Sequence, residues 1–284
     1  MTGFLRPTSL TEALAYLDKT RATVAAGCTD LFPATGRRDL AGPILDVTAI
    51  EEMRGITKVP GGWRIGGATT WSDVLAADLP PAFDMLKQAA REVGSVQIQT
   101  AGTVAGNLCN ASPAADGVPN LLALDASVRL ASSRGERVLP LTAFLRGPRQ
   151  TALAPDEIML SVEVPDAAAR GISRFLKLGA RRYLVISIAM VSVRIEVEQG
   201  RISSASVAVG ACSAVARRVP LLEAQLTGMA MGADVPGAVR AAHLKAVLSP
   251  IDDIRADAAY RGAAAAELVR RALSDLVITE SRAA

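Results

Sequence analysis

Residues 94–125 constrain the fold more than any other part of the sequence, because small and turn-forming residues are spaced too closely there for long helices or strands. These residues are Gly102, Gly106, Ser112, Pro113, Gly117 and Pro119. Such a stretch is either a loop that builds a binding site or an unusually long linker. The long regular elements are therefore expected on either side of it.

Two glycine-containing segments also carry hydroxyl or amide side chains. They are Ala25-Ala26-Gly27-Cys28-Thr29-Asp30 and Ala101-Gly102-Thr103-Val104-Ala105-Gly106-Asn107. Small side chains let backbone N–H groups approach an anion, and the threonines and the asparagine add donors of their own. Each segment alone is more typical of a turn after a strand. As a pair they could hold a pyrophosphate, although neither matches the Rossmann or Walker A pattern. Asn110, Ser112 and Asp116 follow and would suit a ribityl or ribose chain.

Composition indicates a globular chain of 284 residues, half of them hydrophobic, with 21% charged and 4% aromatic residues. A basic excess of 3 charges is too small to indicate a nucleic-acid or membrane partner. Cys28, Cys109 and Cys212 are too few and too scattered for a disulfide framework or a four-thiolate cluster. The single histidine, His243, lies among basic residues and alanines, so we expect a solvated helix residue without a catalytic role.

The chain begins without a signal-like segment and contains no run of eighteen apolar residues. We therefore expect a soluble, cytoplasmic protein with no membrane span. Capping and periodicity predict a helix after Ser9, strands at 23–26 and 44–47, and a strand and helix within 63–77. This alternation is typical of a small α/β unit.

Strand alternation resumes downstream and indicates a sheet-rich middle with elements at 128–130 and 158–164. A hairpin follows, in which one strand ends at Glu198-Gln199-Gly200-Arg201 and the return strand covers 206–209. Helical periodicity then predicts helices over 239–248 and 258–277.

The sequence resembles the FAD-binding medium subunit of the molybdenum hydroxylases, the family of xanthine dehydrogenase and carbon monoxide dehydrogenase. In that family the first segment is A-G-G-x followed by Ser, Thr or Asp, and the second is T-x-G-G-N followed by A-S-P-x-x-D. Here Ala26-Gly27-Cys28-Thr29-Asp30, Thr103-Val104-Ala105-Gly106-Asn107 and Ala111-Ser112-Pro113-Ala114-Ala115-Asp116 occur in the same order and spacing. The likeness continues at 119–126, at Phe175-Leu176-Lys177 with Arg181-Arg182, and at 207–210. The resemblance therefore extends over almost the whole chain.

The resemblance implies which residues contact FAD and implies no catalytic residue or metal ligand in this chain. The expected contacts are Ala25, Ala26, Gly27, Cys28, Thr29, Asp30, Leu31, Thr103, Val104, Ala105, Gly106, Asn107, Asn110, Asp116 and Lys177. Thr103, Gly106 and Asn107 would serve the pyrophosphate, Asp116 the ribityl end, and Lys177 the flavin side of the middle domain. Cys28 is expected to make contact without redox chemistry. Tyr183 is either a stacking partner of the flavin or, more typically, a strand-edge residue.

Two residues depart from the family pattern, since Cys28 and Ala105 stand where the family commonly has glycine. A Cβ at positive φ costs on the order of 1 kcal/mol, whereas in the β or right-handed helical region it costs nothing. The effect of each residue on FAD affinity therefore depends on its backbone conformation.

The implied fold is α+β, with a vanillyl-alcohol-oxidase-like FAD-binding fold followed by a carbon monoxide dehydrogenase flavoprotein C-terminal domain. Two N-terminal α/β subdomains would cover 1–55 and 56–170, with FAD between them, and a C-terminal α/β domain would cover 171–284. The chain would take electrons from the 2Fe–2S clusters of a small subunit and pass them to NAD or another acceptor. Substrate oxidation would belong to a molybdopterin large subunit, and the assembly would be a dimer of heterotrimers.

Two other functions stay open at this stage. A stand-alone FAD oxidoreductase would need a substrate acid of its own, for which the sequence offers no convincing candidate. A scaffold subunit that has lost the flavin is compatible with Cys28 and Ala105 in place of glycine.

Overall fold

The computed structural model describes residues 3–36 and 40–283. In the first unit, α1 begins after Ser9, whose hydroxyl accepts a hydrogen bond from the Glu12 N–H at 3.3 Å. The parallel strands pair in the order β1-β3-β2, and β2 ends where the first glycine segment begins. The elements are β1 (Phe4–Leu5), α1 (Leu10–Thr20), β2 (Thr23–Ala25), α2 (Leu31–Thr35) and β3 (Ile44–Asp46).

The second unit is built on an antiparallel sheet of order β4-β5-β10-β6-β7. Its strands are β4 (Ile56–Val59), β5 (Gly62–Gly66), β6 (Ser127–Ser132), β7 (Gly135–Pro140) and β10 (Ile158–Pro165), with a small pair formed by β8 (Leu145–Gly147) and β9 (Gln150–Thr151). Helices α3 (Trp71–Ala76) and α4 (Asp84–Glu92) precede residues 94–125, and α8 (Leu141–Phe144) follows β7. The capping box at Thr70 is complete, because its hydroxyl and the Asp73 carboxylate each accept a backbone N–H.

Residues 94–125 form three short helices rather than one open loop. These are α5 (Val96–Ala101), α6 (Val104–Asn110) and α7 (Gly117–Ala123). The turn-forming residues fall at the helix ends: Gly102 closes α5, and Thr103 caps α6. Pro119 lies in the first turn of α7, where proline needs no N–H partner. The spacing thus limits helix length without preventing helices.

The third unit is an antiparallel sheet of order β11-β12-β13-β14, with β11 (Ile172–Leu178), β12 (Ala189–Glu198), β13 (Arg201–Gly210) and β14 (Arg217–Arg218). Gln199 and Gly200 form the predicted hairpin turn with φ of 51° and 72°, the left-handed backbone that a two-residue turn requires. The helices are α9 (Pro220–Leu226), α10 (Ala241–Lys245) and α11 (Ala258–Ala283). The return strand thus begins earlier than predicted, and the helix expected over 239–248 is shorter.

Helix α7 joins the second and third units, because its buried Leu121 shares one hydrophobic core with Met190 of β12 and Ala208 of β13. The first unit packs on the second through a separate cluster that includes Leu17, Leu45 and Ile158. Since packing crosses between the units, the division at residues 55 and 170 stays a prediction. Across the described ranges, every helix is too short or too polar to cross a bilayer.

Candidate functional site

A cleft of about 570 Å³ lies between the first and second units, and both glycine-containing segments line it. Eleven of the predicted contact residues face this cleft: Ala26, Gly27, Cys28, Thr29, Asp30, Leu31, Thr103, Ala105, Gly106, Asn107 and Asn110. The structure thus brings together two segments that are about 75 residues apart in sequence. Ala25 and Val104 point into the core, at 5% and 0% exposure.

The two segments touch at Gly27. A Cβ on this glycine would overlap the carbonyl of Ala101, so only glycine allows the approach. The second segment is fixed in turn by α3 and the residues before it: the Trp71 N–H donates to Gly102 O at 3.1 Å, and the Val104 N–H donates to Thr69 O at 2.9 Å. Backbone hydrogen bonds therefore hold the second segment in place against the first.

The first segment presents a concave row of backbone donors. The N–H groups of Gly27, Cys28, Thr29 and Asp30 have no hydrogen-bond acceptor among residues 3–36 and 40–283. Of these four residues, Cys28 adopts the left-handed backbone conformation, with φ of 56°. Consecutive N–H groups in a turn of this kind converge on one point and bind anions. A pyrophosphate fits this chemistry.

Thr103 contributes to the second segment mainly as a helix cap. Its hydroxyl oxygen accepts the Gly106 N–H at 3.0 Å at the start of α6. Ala105 lies inside this helix, where a Cβ is not strained. Of the two departures from the family pattern, only Cys28 therefore occupies a conformation that favours glycine.

Asn107 lines the cleft, and its side-chain oxygen lies beside Gly117. Its Oδ1 atom is buried and has no hydrogen-bond partner among the described residues. Leaving such an atom unpaired costs about 1–3 kcal/mol, a cost that a bound hydroxyl or amino group would relieve. Asn110, at the end of α6, also lines the cleft, and its Oδ1 accepts from the Arg149 guanidinium at 2.5 Å. The amides and the Asn107 oxygen together fit a ligand with both phosphate and hydroxyl groups, as FAD has.

The cleft also holds two thiols, Cys28 and Cys109, and sequence reasoning missed the second. Burial raises the pKa of Cys109 to about 12, and burial together with the nearby Asp46 carboxylate raises the pKa of Cys28. Both thiols are therefore protonated near neutral pH and are weak nucleophiles. The spacing of Cys109 could have indicated its position, because it lies four residues after Ala105 and therefore on the same face of α6.

Sequence reasoning also missed the opposite wall of the cleft. It comes from the end of β9, the residues that follow it and the start of β10, namely Thr151, Leu153, Ala154, Pro155, Glu157, Ile158 and Met159. Glu157 fixes this wall, because its carboxylate accepts from the Arg137 guanidinium at 2.6 and 2.7 Å and from the Ala154 N–H at 2.8 Å. The hydrogen bonds from Arg137 lower the pKa of Glu157. No local motif marks these residues.

Asp116 and Lys177 do not line the cleft; they pair with each other behind it. The Lys177 ammonium lies 2.7 Å from Asp116 Oδ2, and the Ser187 hydroxyl donates to Oδ1, also at 2.7 Å. Burial raises the pKa of Asp116, while Lys177 and Ser187 act in the opposite direction. Their contact with the flavin stays a prediction.

The structure also shows where Tyr183 and His243 lie. Tyr183 is 60% exposed on the loop after β11, with the Arg182 guanidinium 5.1 Å from its ring centre, and both alternatives for it stay open. His243 is half-buried in α10, where its Nδ1 accepts the Arg240 N–H at 3.3 Å, so it serves as a helix cap.

Comparison with known proteins identifies two families along the chain. The FAD binding domain in molybdopterin dehydrogenase matches residues 1–167, and the CO dehydrogenase flavoprotein C-terminal domain matches residues 174–276. Caffeine dehydrogenase subunit beta from Pseudomonas sp. (strain CBB1) is 30% identical over 95% of this chain and 93% of its own length. The xanthine dehydrogenase FAD-binding subunit of Escherichia coli O157:H7 is 30% identical over 73% of each chain.

A solved structure agrees with these matches. A chain of carbon monoxide dehydrogenase from Hydrogenophaga pseudoflava, in a form lacking the Mo-pyranopterin moiety of the molybdenum cofactor, superposes with a TM-score of 0.87. It is 28% identical, and 96% of each chain is covered. The predicted α+β fold, an FAD-binding fold followed by the flavoprotein C-terminal domain, is confirmed. The chain belongs to the FAD-binding subunits of the molybdenum hydroxylase family, which are oxidoreductase subunits.

Proposed function

We propose that this chain is the electron-outlet subunit of a molybdopterin-dependent hydroxylase or dehydrogenase. It takes electrons from the 2Fe–2S clusters of a partner subunit and passes them to NAD or another acceptor. The observation that carries this proposal is the cleft. It is lined by a row of N–H groups that have no acceptor among the described residues, and by Asn107, whose buried amide oxygen is also without a partner there. When bound, FAD supplies the redox chemistry, exchanging single electrons with a cluster and electron pairs with an acceptor.

The residues of the chain bind and orient the cofactor in this proposal. The amides of Gly27, Cys28, Thr29 and Asp30 hold the pyrophosphate, and the capped start of α6 at Thr103 keeps the second segment against it. Asn107 Oδ1 accepts a donor from the sugar or ribityl part. Asp116 at the ribityl end and Lys177 at the flavin side remain part of the proposal, as residues whose loss lowers FAD affinity.

The cleft is poor in groups that could react with an organic substrate. The thiols of Cys28 and Cys109 are protonated at neutral pH. The Glu157 carboxylate is bound by Arg137 and the Ala154 N–H. Asp30 is exposed. This favours substrate oxidation in another subunit over a stand-alone oxidoreductase.

The proposed partners are a small subunit with two 2Fe–2S clusters and a molybdopterin large subunit, arranged as a dimer of heterotrimers in the cytoplasm. The similar proteins support this, since their names include subunit beta, medium chain and FAD-binding subunit. A permanent interface of this kind should exceed roughly 1,000 Å².

Co-expression with the products of neighbouring genes tests the proposal. After separation by size, flavin, iron and molybdenum should elute together with this chain. A flavin-containing monomer that oxidises an organic substrate without partners would instead support a stand-alone oxidoreductase. A complex with iron and molybdenum but no flavin would support a scaffold subunit.

A further inference from the structure

We propose that Asp116 is a positioning residue that holds both ends of one exposed loop and thereby steadies the rear of the cleft. The loop consists of residues 179–186 and is called here the Tyr183 loop. The inference concerns contacts within this chain and does not require that FAD be bound. An experiment can therefore contradict this inference without contradicting the proposed function.

The two ends of the Tyr183 loop meet at one carboxylate. Lys177 lies two residues before the loop and reaches Asp116 Oδ2 at 2.7 Å, and Ser187 directly follows the loop and donates to Oδ1 at 2.7 Å. The backbone closes the base as well, because the Ile188 N–H donates to Leu178 O at 2.8 Å. Both oxygens of Asp116 are thus engaged by residues that bracket the loop.

Burial strengthens these contacts. The side chains of Lys177 and Asp116 are only 7% and 9% exposed, and Ser187 is buried. An ion pair shielded from water is screened little by salt, and removing one partner leaves the other charge uncompensated. The carboxylate is therefore a strong constraint on the positions of both loop ends.

The loop itself has little else to hold it. Tyr183, Leu184 and Ile186 are each more than half exposed, and Leu184 adopts a left-handed backbone with φ of 51°. Its polar contacts are internal, since the Arg181 guanidinium donates to the carbonyls of Tyr183 and Leu184. Without the anchors at its ends, the loop should open more often.

Asp116 is connected to the cleft through its neighbours. Gly117, the next residue, fits so tightly that a Cβ on it would lie 2.5 Å from the Trp71 ring and 2.8 Å from Asn107 Oδ1. Lys177 also donates to Glu92 O at 3.3 Å, and the adjacent Val93 lines the cleft. Displacing Asp116 should therefore also shift Asn107 and Val93, which line the cleft but do not contact the Asp116 carboxylate.

Limited trypsin digestion of the full chain, followed by mass spectrometry, tests this inference. Cleavage after Arg181 and Arg182 reports loop opening, and cleavage after the exposed Arg21 is the internal reference. The variants are Asp116→Ala, Asp116→Asn and Ser187→Ala. The matched control is Ser192→Ala, which removes a buried hydroxyl that bonds Asn120 of α7 at 2.9 Å and leaves the loop ends untouched.

Without added FAD, we expect loop cleavage to accelerate on the order of tenfold in Asp116→Ala and severalfold in Ser187→Ala, relative to the Arg21 site. Asp116→Asn should fall between Asp116→Ala and wild type, because an amide oxygen still accepts the Ser187 hydroxyl. Ser192→Ala should match wild type.

Three results would overturn the inference. The first is unchanged loop cleavage in Ser187→Ala and in folded Asp116→Ala. The second is equal acceleration in Ser192→Ala, which would point to general loosening. The third is a cleavage rate that differs between the variants only when FAD is present, because the proposed anchoring contacts lie within the chain.

Discussion

Gly27 lies directly against the carbonyl of Ala101, and this contact joins the two cofactor-binding segments. No other residue type fits at position 27, because a Cβ would occupy the place of the Ala101 oxygen. The contact brings the N–H groups after β2, which have no acceptor among the described residues, next to the start of α6.

Gly27→Ala should therefore separate the segments. We expect FAD affinity to fall at least tenfold and the free energy of unfolding to fall by about 1–3 kcal/mol, the usual range for overpacking. FAD titration and urea denaturation measure the two quantities. Gly232→Ala is the control, because no atom lies within 4 Å of its Cβ position, and it should leave both quantities unchanged. Equal effects of the two variants would contradict a special role for Gly27.

Cys28 and Ala105 should respond oppositely to replacement by glycine. Cys28 has a φ of 56°, so Cys28→Gly should raise the free energy of unfolding by about 0.5–1 kcal/mol. Ala105 is helical, so Ala105→Gly should lower the free energy of unfolding by up to about 1 kcal/mol. Urea denaturation compares both variants with wild type. Changes of the same sign would show that the backbone conformations do not govern these positions.

The cysteines allow the cofactor position to be mapped. Cys28 and Cys109 line the cleft, whereas Cys212 is buried in the third unit, where burial raises its pKa to about 11. Alkylation near neutral pH should be slow for all three. It should be fastest for Cys28, because Cys212 is buried and the pKa of the half-exposed Cys109 is raised to about 12. FAD should slow the labelling of Cys28 severalfold. Mass spectrometry of labelled peptides measures this. Cys212 is the internal control, and equal protection at Cys212 would contradict binding in this cleft.

The acid stability of the chain should depend on Asp253. Its carboxylate accepts the Arg255 N–H at 2.8 Å and pairs with the buried Arg261 guanidinium at 2.6 Å, and these contacts lower its pKa to about 2. A lowered pKa stabilises the fold fully above the unfolded-state pKa of about 3.9, and this stabilisation is lost as pH falls toward 2. Asp253→Asn should cost about 1 kcal/mol at pH 7, allowing for solvent screening, and progressively less below pH 4.

Urea denaturation at pH 7, 4 and 3 tests this dependence. Asp252→Asn is a neighbouring control, since among the described residues Asp252 accepts only the Ala258 N–H. A cost of Asp253→Asn that stays constant down to pH 3 would mean that the ion pair does not set the stability.

Local motifs explain which parts of the site were predictable. The segment from Ala26 to Asp30 and the segment from Thr103 to Asn107 carry glycine, hydroxyl and amide groups in one short run, so the sequence alone marks them. The wall around Glu157 has no such mark, because it reaches the cleft through the pairing of β10 with β5 and β6. Its role depends on long-range strand pairing that periodicity does not reveal.

The hydrogen-bond partners of Asp116 could not be predicted from the sequence either. Asp116 follows the second segment, and its contact with the ribityl chain stays a prediction. Its hydrogen bonds to Lys177 and Ser187, which are 61 and 71 residues away, have no local signal in the sequence. The helices within 94–125 were missed for a different reason. Closely spaced turn-forming residues such as Gly102 and Pro119 mark the ends of short helices as well as loops.

Flavin titration of the purified full chain tests whether the cleft is an FAD site. We expect that one FAD binds per chain and that FMN, which lacks the pyrophosphate and adenosine, binds at least tenfold more weakly. Quenching of flavin fluorescence measures both affinities. Equal affinity for FMN, or no flavin binding by the folded chain, would contradict the assignment of the cleft between Gly27 and Asn107 as the FAD site.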